Sequence, residues 1–508
     1  NTGSLSLTAS GSGNAGNVDL TTAGNLTLAG IFVSSGDITV ATSDANGVGT
    51  NNTEISIPSG AEIKTLGGSV TLAADRMDLS GDISATVGVT LQAALNDDIR
   101  LGGTSTNPVS LELSMDELNR IDADVINIGK NNGGKITISE TISPAHALTL
   151  NLITGAGVVD DNANGPDIVI GTLSIVAGSG IAATDNPLEV NADTISNLQT
   201  ATSGIFIDIL DSVDSQHVVA AASAASGDIV FTSTNNSGRF EFTNVSAVGG
   251  SIDITMPGNV RIGTASALQR VDVHAVASEI EISGSITSAN KGITLTSDTI
   301  ILPDPMIGPD GKPIPTVQAN SGQVQIFTSS ADRPIDLGKT ADDSFALSAA
   351  ELSGITAATI VIGNLTNGAI TVSDAITLAD NTGLILTTGS DITFGDAGAL
   401  KADTSNLGNV RLLATSGSID SDLESQPNII ASKLTAIARY GIGATNPIVT
   451  DLSETSQTNP ANLGVLDDGV IAVRNQNDLD LWVLVTQNGE SVSANGGGVD
   501  VTTTSSAT

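Results

Sequence analysis

The sequence predicts an all-β protein: a right-handed parallel β-helix (β-solenoid) with short helical decorations and loop inserts. Three observations predict it. Short apolar–polar alternations recur along the whole chain, aromatic residues are only 2% of a chain that is 40% hydrophobic, and a long internal repeat has an offset that changes in steps. Alternation with a period of two marks a strand with one buried face. A narrow solenoid interior takes Val, Ile, Leu, Ala and Thr, so it needs few of the rings that dominate wider cores.

The strands come first. Ser4-Leu5-Ser6-Leu7, Asp37-Ile38-Thr39-Val40, Glu54-Ile55-Ser56-Ile57 and Ser69-Val70-Thr71-Leu72 share one pattern with Lys135-Ile136-Thr137-Ile138, Ser251-Ile252-Asp253-Ile254, Glu279-Ile280-Glu281-Ile282 and Ala369-Ile370-Thr371-Val372. Clusters of Gly, Asn, Asp and Ser separate them, and these are turn residues.

The long repeat lies above this rhythm. Leu113-Ser114-Met115-Asp116-Glu117-Leu118 returns as Leu347-Ser348-Ala349-Ala350-Glu351-Leu352, displaced by 234, and Ile126, Ile128 and Gly129 match Ile360, Ile362 and Gly363 at the same offset. Upstream, Ile63 and Val70-Thr71-Leu72 match Ile286 and Ile293-Thr294-Leu295 at 223; downstream, Gly180-Ile181 matches Gly441-Ile442 at 261. The first step coincides with Pro303, Pro305, Pro309, Pro313 and Pro315, which read as a protruding loop. The second step is close to the length of one coil, and a solenoid accepts a whole coil without disturbing its core. The resulting organisation is coils over 1–62, long repeat 1 over 63–285, long repeat 2 over 286–490 with its insert at 303–316, and a Gly/Ser/Thr-rich tail over 491–508.

Ser114 to Glu117 and Ser348 to Glu351 each form a Ser-x-x-Glu pattern followed by apolar residues, which predicts a capping box opening one or two helical turns over local apolar surface. With coils of about 20 residues, the chain would make about 25 coils and a rod on the order of 120 Å long. Exposed strand edges at its ends would invite end-to-end stacking.

Composition narrows the function classes. The chain has no cysteine, so it holds no disulfide framework and no zinc–thiolate site. With 55 acidic and 18 basic residues its formal net charge is −37, which disfavours nucleic acid and anionic membrane surfaces. No apolar run approaches the roughly 20 residues that span a bilayer. A chain that opens on Asn1 rather than Met reads as a mature product or an excerpt of something longer.

The strand–Gly rhythm, the Leu-Ser-x-x-Glu-Leu-x-x-Ile…Ile-x-Ile-Gly blocks at 113–129 and 347–363, and the Gly-Ile…Asn-Pro segments at 180–187 and 441–447 resemble the shaft of filamentous-haemagglutinin-like bacterial exoproteins. The family's secretion-domain motif, such as Asn-Pro-Asn-Gly, does not occur here. The resemblance implies a secreted, cell-surface β-helical protein acting in adhesion, aggregation or biofilm building. Its implied partners are copies of itself or adjacent repeats end to end, and a host or neighbouring cell surface.

Motifs for chemistry are few. His146, His217 and His274 lack the close spacing of a metal pair. No Gly-x-Ser-x-Gly elbow occurs. Trp482 and Tyr440 are the only residues of their types, and they fall in separate coils, which argues against sugar-binding platforms. Phe231, Phe240 and Phe242 read as core or corner fillers rather than an exposed stripe. Paired carboxylates are numerous: Asp97-Asp98, Asp160-Asp161, Asp342-Asp343 and Asp467-Asp468. They read as calcium ligands at turns or as solvated gatekeepers against aggregation. Gly496-Gly497-Gly498-Val499-Asp500 is an isolated near-match to a calcium nonapeptide. Asp160 and Asp161, with Asp167, are the first candidates for calcium. The expectation is a non-enzymatic rod-like stalk of a surface adhesin. The alternatives are a self-assembling subunit of a filament, sheath or surface layer, and, further off, a β-helical polysaccharide-active enzyme.

Overall fold

The computed structural model describes residues 3–9, 16–43, 53–103, 110–163, 165–210, 216–234, 238–309, 311–338, 345–402, 408–422, 426–452, 461–466, 470–476, 481–485 and 499–503. They divide into two compact units, Asn1–Gly250 and Ser251–Thr508. This division falls earlier in the chain than the boundary between the two long repeats. Asp342-Asp343, Asp467-Asp468 and the Gly496–Gly498 run lie outside the described residues. So do the side chains of Trp482 and Asp500.

Each unit is a parallel β-solenoid, because a single short strand cannot bury its apolar face alone and lies in register on the next coil. In the first unit one inward position runs Val18, Ile38, Val70, Val89, Ile126, Leu150, Leu173, Ile195, Val219, Phe242, each the parallel partner of the one before. All ten side chains are buried. In the second unit the same kind of ladder runs Ile252, Val271, Ile293, Val324, Ile360, Leu384, Val410, Leu434, Ala461. A second face of that unit stacks six isoleucines: Ile335, Ile370, Ile392, Ile419, Ile442 and Ile471. Each such side chain contributes about 1.5–3 kcal/mol by burial, so stability accumulates coil by coil. The outward positions form polar ladders. Asn151 Nδ2 donates to Asn127 Oδ1 at 2.8 Å, and Asn127 Nδ2 to Thr90 Oγ1 at 3.2 Å.

Coils are longer, and less even, than the strand spacing in the sequence suggests. Val70 pairs with Val89 across a short coil, whereas the next partner of Val89 is Ile126, on the far side of helix-bearing chain. The coils accordingly number about 18 rather than about 25. Corners, loops and helices lengthen a coil without adding a rung.

The repeat steps have direct structural causes. Between Leu302 and Val317 the described residues form an excursion in which Ile307 bridges Pro313 and the Gly308 amide donates to the Lys312 carbonyl at 2.7 Å. It leaves Met306, Ile307 and Ile314 exposed. The second step is one whole extra coil. Val158 pairs directly with Ile181 in the first unit, whereas Ile392 reaches Ile442 through the added rung Ile419 in the second.

Both predicted capping boxes are present, on helices α1 (Met115–Leu118) and α2 (Ala349–Ser353). Each Glu also reaches a neighbouring coil: the Leu79 amide donates to Glu117 Oε1 at 3.2 Å and the Leu302 amide to Glu351 Oε1 at 3.0 Å. Leu118 and Leu352 are buried beneath the helices. Gly129 and Gly363, matched in the repeat, have φ of 90° and 78°. A Cβ there would stand 2.1 Å from the Ile153 carbonyl oxygen or 2.4 Å from that of Thr387. Only glycine lets the chain turn this close to the next coil.

Candidate metal centre

The acidic residues divide by where the coil places them. Many sit just before or at the first residue of a strand, where the carboxylate accepts a backbone amide of the next coil. Ser69 N donates to Asp37 Oδ1 at 2.9 Å, Lys135 N to Asp98 Oδ1 at 2.8 Å, and Ser418 N to Asp391 Oδ1 at 2.7 Å. Asn428 does the same for Val449 N at 2.9 Å. These bonds satisfy amides that the corner would otherwise leave unpaired. They hold the Asp37 carboxyl below its ordinary value, because the Ser69 amide and hydroxyl both donate to the charged form. Asp98 of the sequence-predicted pair Asp97-Asp98 therefore has a structural role.

Asp160, Asp161 and Asp167 part company. Asp161 points outward, and the Arg100 guanidinium donates to its Oδ2 at 2.8 Å. Asp160 ends the strand Val158–Asp160 in an inward position, in register with Ile138 of the preceding coil. Asp167 precedes the strand Ile168–Ala177 and is fully buried. The third member of their cluster is Glu189, on the strand Leu188–Thr200 of the next coil. One ligand oxygen from each of Asp160, Asp167 and Glu189 lies within 4.8 Å of the others.

The sequence did not nominate Glu189. Its signal was indirect: a Glu in an outward strand position, one coil beyond an Asp in a corner. Its placement needs the register of Ile168 on Val190.

Backbone bonds lock the cluster. The Asp167 amide donates to the Glu189 carbonyl and the Glu189 amide to Asp167 Oδ2, both at 2.8 Å. The Asn162 amide donates to Asp160 Oδ1 at 2.7 Å. One further oxygen of each, Asp160 Oδ2, Asp167 Oδ1 and Glu189 Oε2, is buried with no hydrogen-bond partner among the described residues. Burial pushes the Asp167 carboxyl up to about 8 against the Glu189 amide, which favours its charged form, and the side chains of Glu189 and Asp160 push it the same way as burial.

Asp75, another buried acid, likewise keeps one oxygen, Oδ1, with no hydrogen-bond partner among the described residues, but it has a cation within electrostatic reach, Lys130. It accepts from the Thr53 amide at 3.0 Å and the Thr53 hydroxyl at 2.7 Å, and its charge acts on Lys130. Lys130 donates to the carbonyls of Ala93 and Ala94 at 2.9 and 3.1 Å, and burial lowers its pKa.

The other candidates are placed apart. His217 is buried, stacks on Phe240 at 5.6 Å and pairs its Nδ1 with the Ala192 carbonyl at 2.8 Å. His146 is exposed and His274 faces outward beside Asp253. Phe231, Phe240 and Phe242 are fully buried, as core fillers. Tyr440 is exposed under the Arg439 guanidinium. An open groove of about 750 Å³ on the first unit is lined by residues that include His146, Lys64 and Arg120. Lys64 pairs with Glu62 at 3.0 Å and Arg120 with Asp82 at 3.5 Å, and among the described residues no Phe, Tyr or Trp lines the groove. Compared with known proteins, the chain matches no family model, no curated protein and no solved structure.

Proposed function

We propose that this chain is a non-enzymatic extracellular structural segment, the stalk of a bacterial surface adhesin, whose work is reach and stiffness. The observation that carries this reading is the unbroken in-register stacking, ten rungs from Val18 to Phe242 in one unit and nine from Ile252 to Ala461 in the other. Bending such a stack means breaking inter-coil hydrogen bonds and opening a dry core together, so stiffness is inherent in the architecture. The net charge of −37 supports the same reading by keeping neighbouring copies from collapsing together. The sequence resemblance to filamentous-haemagglutinin-like shafts gives it its cellular setting, with end-to-end repeats and a cell surface as partners. The alternative is a self-assembling subunit of a filament, sheath or surface layer. Electron microscopy of the purified chain, with chelator and with millimolar calcium, separates the two. Isolated elongated particles in both conditions are expected. Ordered filaments would replace the stalk with the assembly subunit, and compact round particles would sink both.

A further inference from the structure

We infer that Asp160, Asp167 and Glu189 form a binding site for one hard divalent cation, calcium in kind, that clamps a coil corner to the next coil. Three independent features converge. First, the ligand oxygens lie within 4.8 Å of one another. A calcium ion binds oxygen at about 2.3–2.6 Å, so two ligands on opposite sides of it stand about 4.6–5.2 Å apart, and a single ion can touch all three.

Second, each carboxylate keeps one buried oxygen with no donor, while another oxygen of both aspartates is already held by a backbone amide. Asp167 is fully buried and Asp160 is 7% exposed. Buried carboxylates are retained where something compensates them. Among the described residues, the side chains that act on Asp167 are those of Asp160 and Glu189, both acids. Arg100 is committed to Asp161.

Third, Asp160 occupies a slot whose neighbouring and equivalent rungs carry no charge: Ile138 on the preceding coil, and Phe394 and Ser421 on successive coils of the second long repeat, all buried. Its counterpart in the second long repeat, at the same offset as the capping boxes, is Phe394, which is in register with Val372 as Asp160 is with Ile138. Phe394 is among the largest fully buried side chains. The stack therefore has no need of a carboxylate at this rung.

The ligands set what the ion would do. Asp160 ends one strand and Asp167 precedes the next, so they stand on either side of a corner, and Glu189 belongs to the following coil. An ion among them ties the corner to that coil, with main-chain oxygens and water completing the shell that calcium prefers. The site stands whether the protein is a stalk or an assembly subunit.

The test is calorimetric titration of calcium chloride into the chelator-stripped full chain, at about 0.15 M salt so that diffuse screening of the surface charge is common to all samples. Saturable binding is expected, together with a rise in the unfolding temperature. Asp167→Asn is expected to abolish the saturable component, and Glu189→Gln, at the half-exposed rim, to weaken it by about tenfold or more. Asp161→Asn is expected to bind within about twofold of the unmodified chain, because Asp161 serves Arg100. Asp160→Leu restores an apolar rung and keeps the test meaningful if an Asn variant fails to fold: it is expected to fold and to lose calcium binding. Absence of saturable heat, or equal losses in Asp161→Asn and Asp167→Asn, would overturn the site and leave the three carboxylates sharing protons alone.

Discussion

Asp160 and Phe394 occupy equivalent rungs of the two long repeats and solve the same packing problem in opposite ways. In the second unit the rung is filled by a buried ring, and the strand that follows begins at Ala399. In the first unit the rung holds a carboxylate, and the strand that follows is led by a second buried acid, Asp167. The pairing geometry is shared: Ile168 lies on Ile142 as Leu400 lies on Ile376. A common coil thus supports either a dry rung or a polar pocket, and the choice rests on two or three side chains. The solenoid tolerates this because each coil contacts only its neighbours, so a local change of chemistry does not propagate.

The largest effect is expected from placing a carboxylate on the Phe394 rung. Phe394→Asp is expected to cost more than about 4 kcal/mol, since it removes a buried ring and leaves a buried carboxylate without companion ligands, the hydroxyl of Ser421 being its neighbour in register. Calcium is not expected to restore it, because Ala399 stands where Asp167 would be needed. Urea unfolding of the variant beside Phe394→Leu, expected to lose less than about 1.5 kcal/mol, measures both effects. A cost for Phe394→Asp no larger than that for Phe394→Leu would show that this rung is not a sealed core.

An intermediate effect is expected at the two capped helices. Glu351 is buried and Glu117 half-buried, yet each closes its capping box and takes an amide from another coil. Glu351→Ala is expected to cost about 2–3 kcal/mol and Glu117→Ala about 1–2 kcal/mol, because Glu351 is the more deeply buried of the two. Hydrogen exchange at the Leu302 and Leu79 amides should quicken in the respective variants. Equal costs, with no change in exchange, would remove the inter-coil role of these carboxylates.

The smallest effect concerns stacked acids on the outer face of the second unit. Asp253 is in register with Asp272, with Arg270 at 3.8 Å from the first and 2.8 Å from the second, and His274 and Thr255 close by. Burial raises the Asp253 pKa above 3.8, and the Asp272 charge adds to it, against opposing contributions from Thr255, Arg270 and His274. A folded-state pKa above the unfolded one means that the proton is held more tightly in the folded chain. The associated stability is complete below about pH 3.8 and is lost as pH rises through the raised value. The Arg270 pair and partial exposure keep this below about 1 kcal/mol. Asp253→Asn is expected to flatten the fall in urea midpoint over this window. An unchanged pH profile would show that Arg270 already neutralises the pair.

Much of the fold was legible from the chain alone. Period-two alternation names the buried face of each strand directly, and the stepped offset located both the loop at 303–316 and the additional coil through Ile419. The capping boxes at Ser114 and Ser348 were equally readable, because a capping box is a local hydrogen-bond cycle closed within one helical turn. Coil length was not, since a corner or helix adds residues without a rung, and sequence spacing cannot tell the two apart.

The candidate site was half legible for the same reason. Asp160 and Asp167 stood out as acids flanking a turn, but Asp161 was grouped with them by adjacency, whereas alternation turns it outward to Arg100. Glu189 lies a whole coil beyond Asp167 and meets it only through coil register. The periodicity, the apolar face and the caps can be read along the chain, because each is set by near neighbours in sequence. Which acids converge is set by the folded solenoid, because the rise from coil to coil brings together residues whose separation in sequence depends on every corner between them.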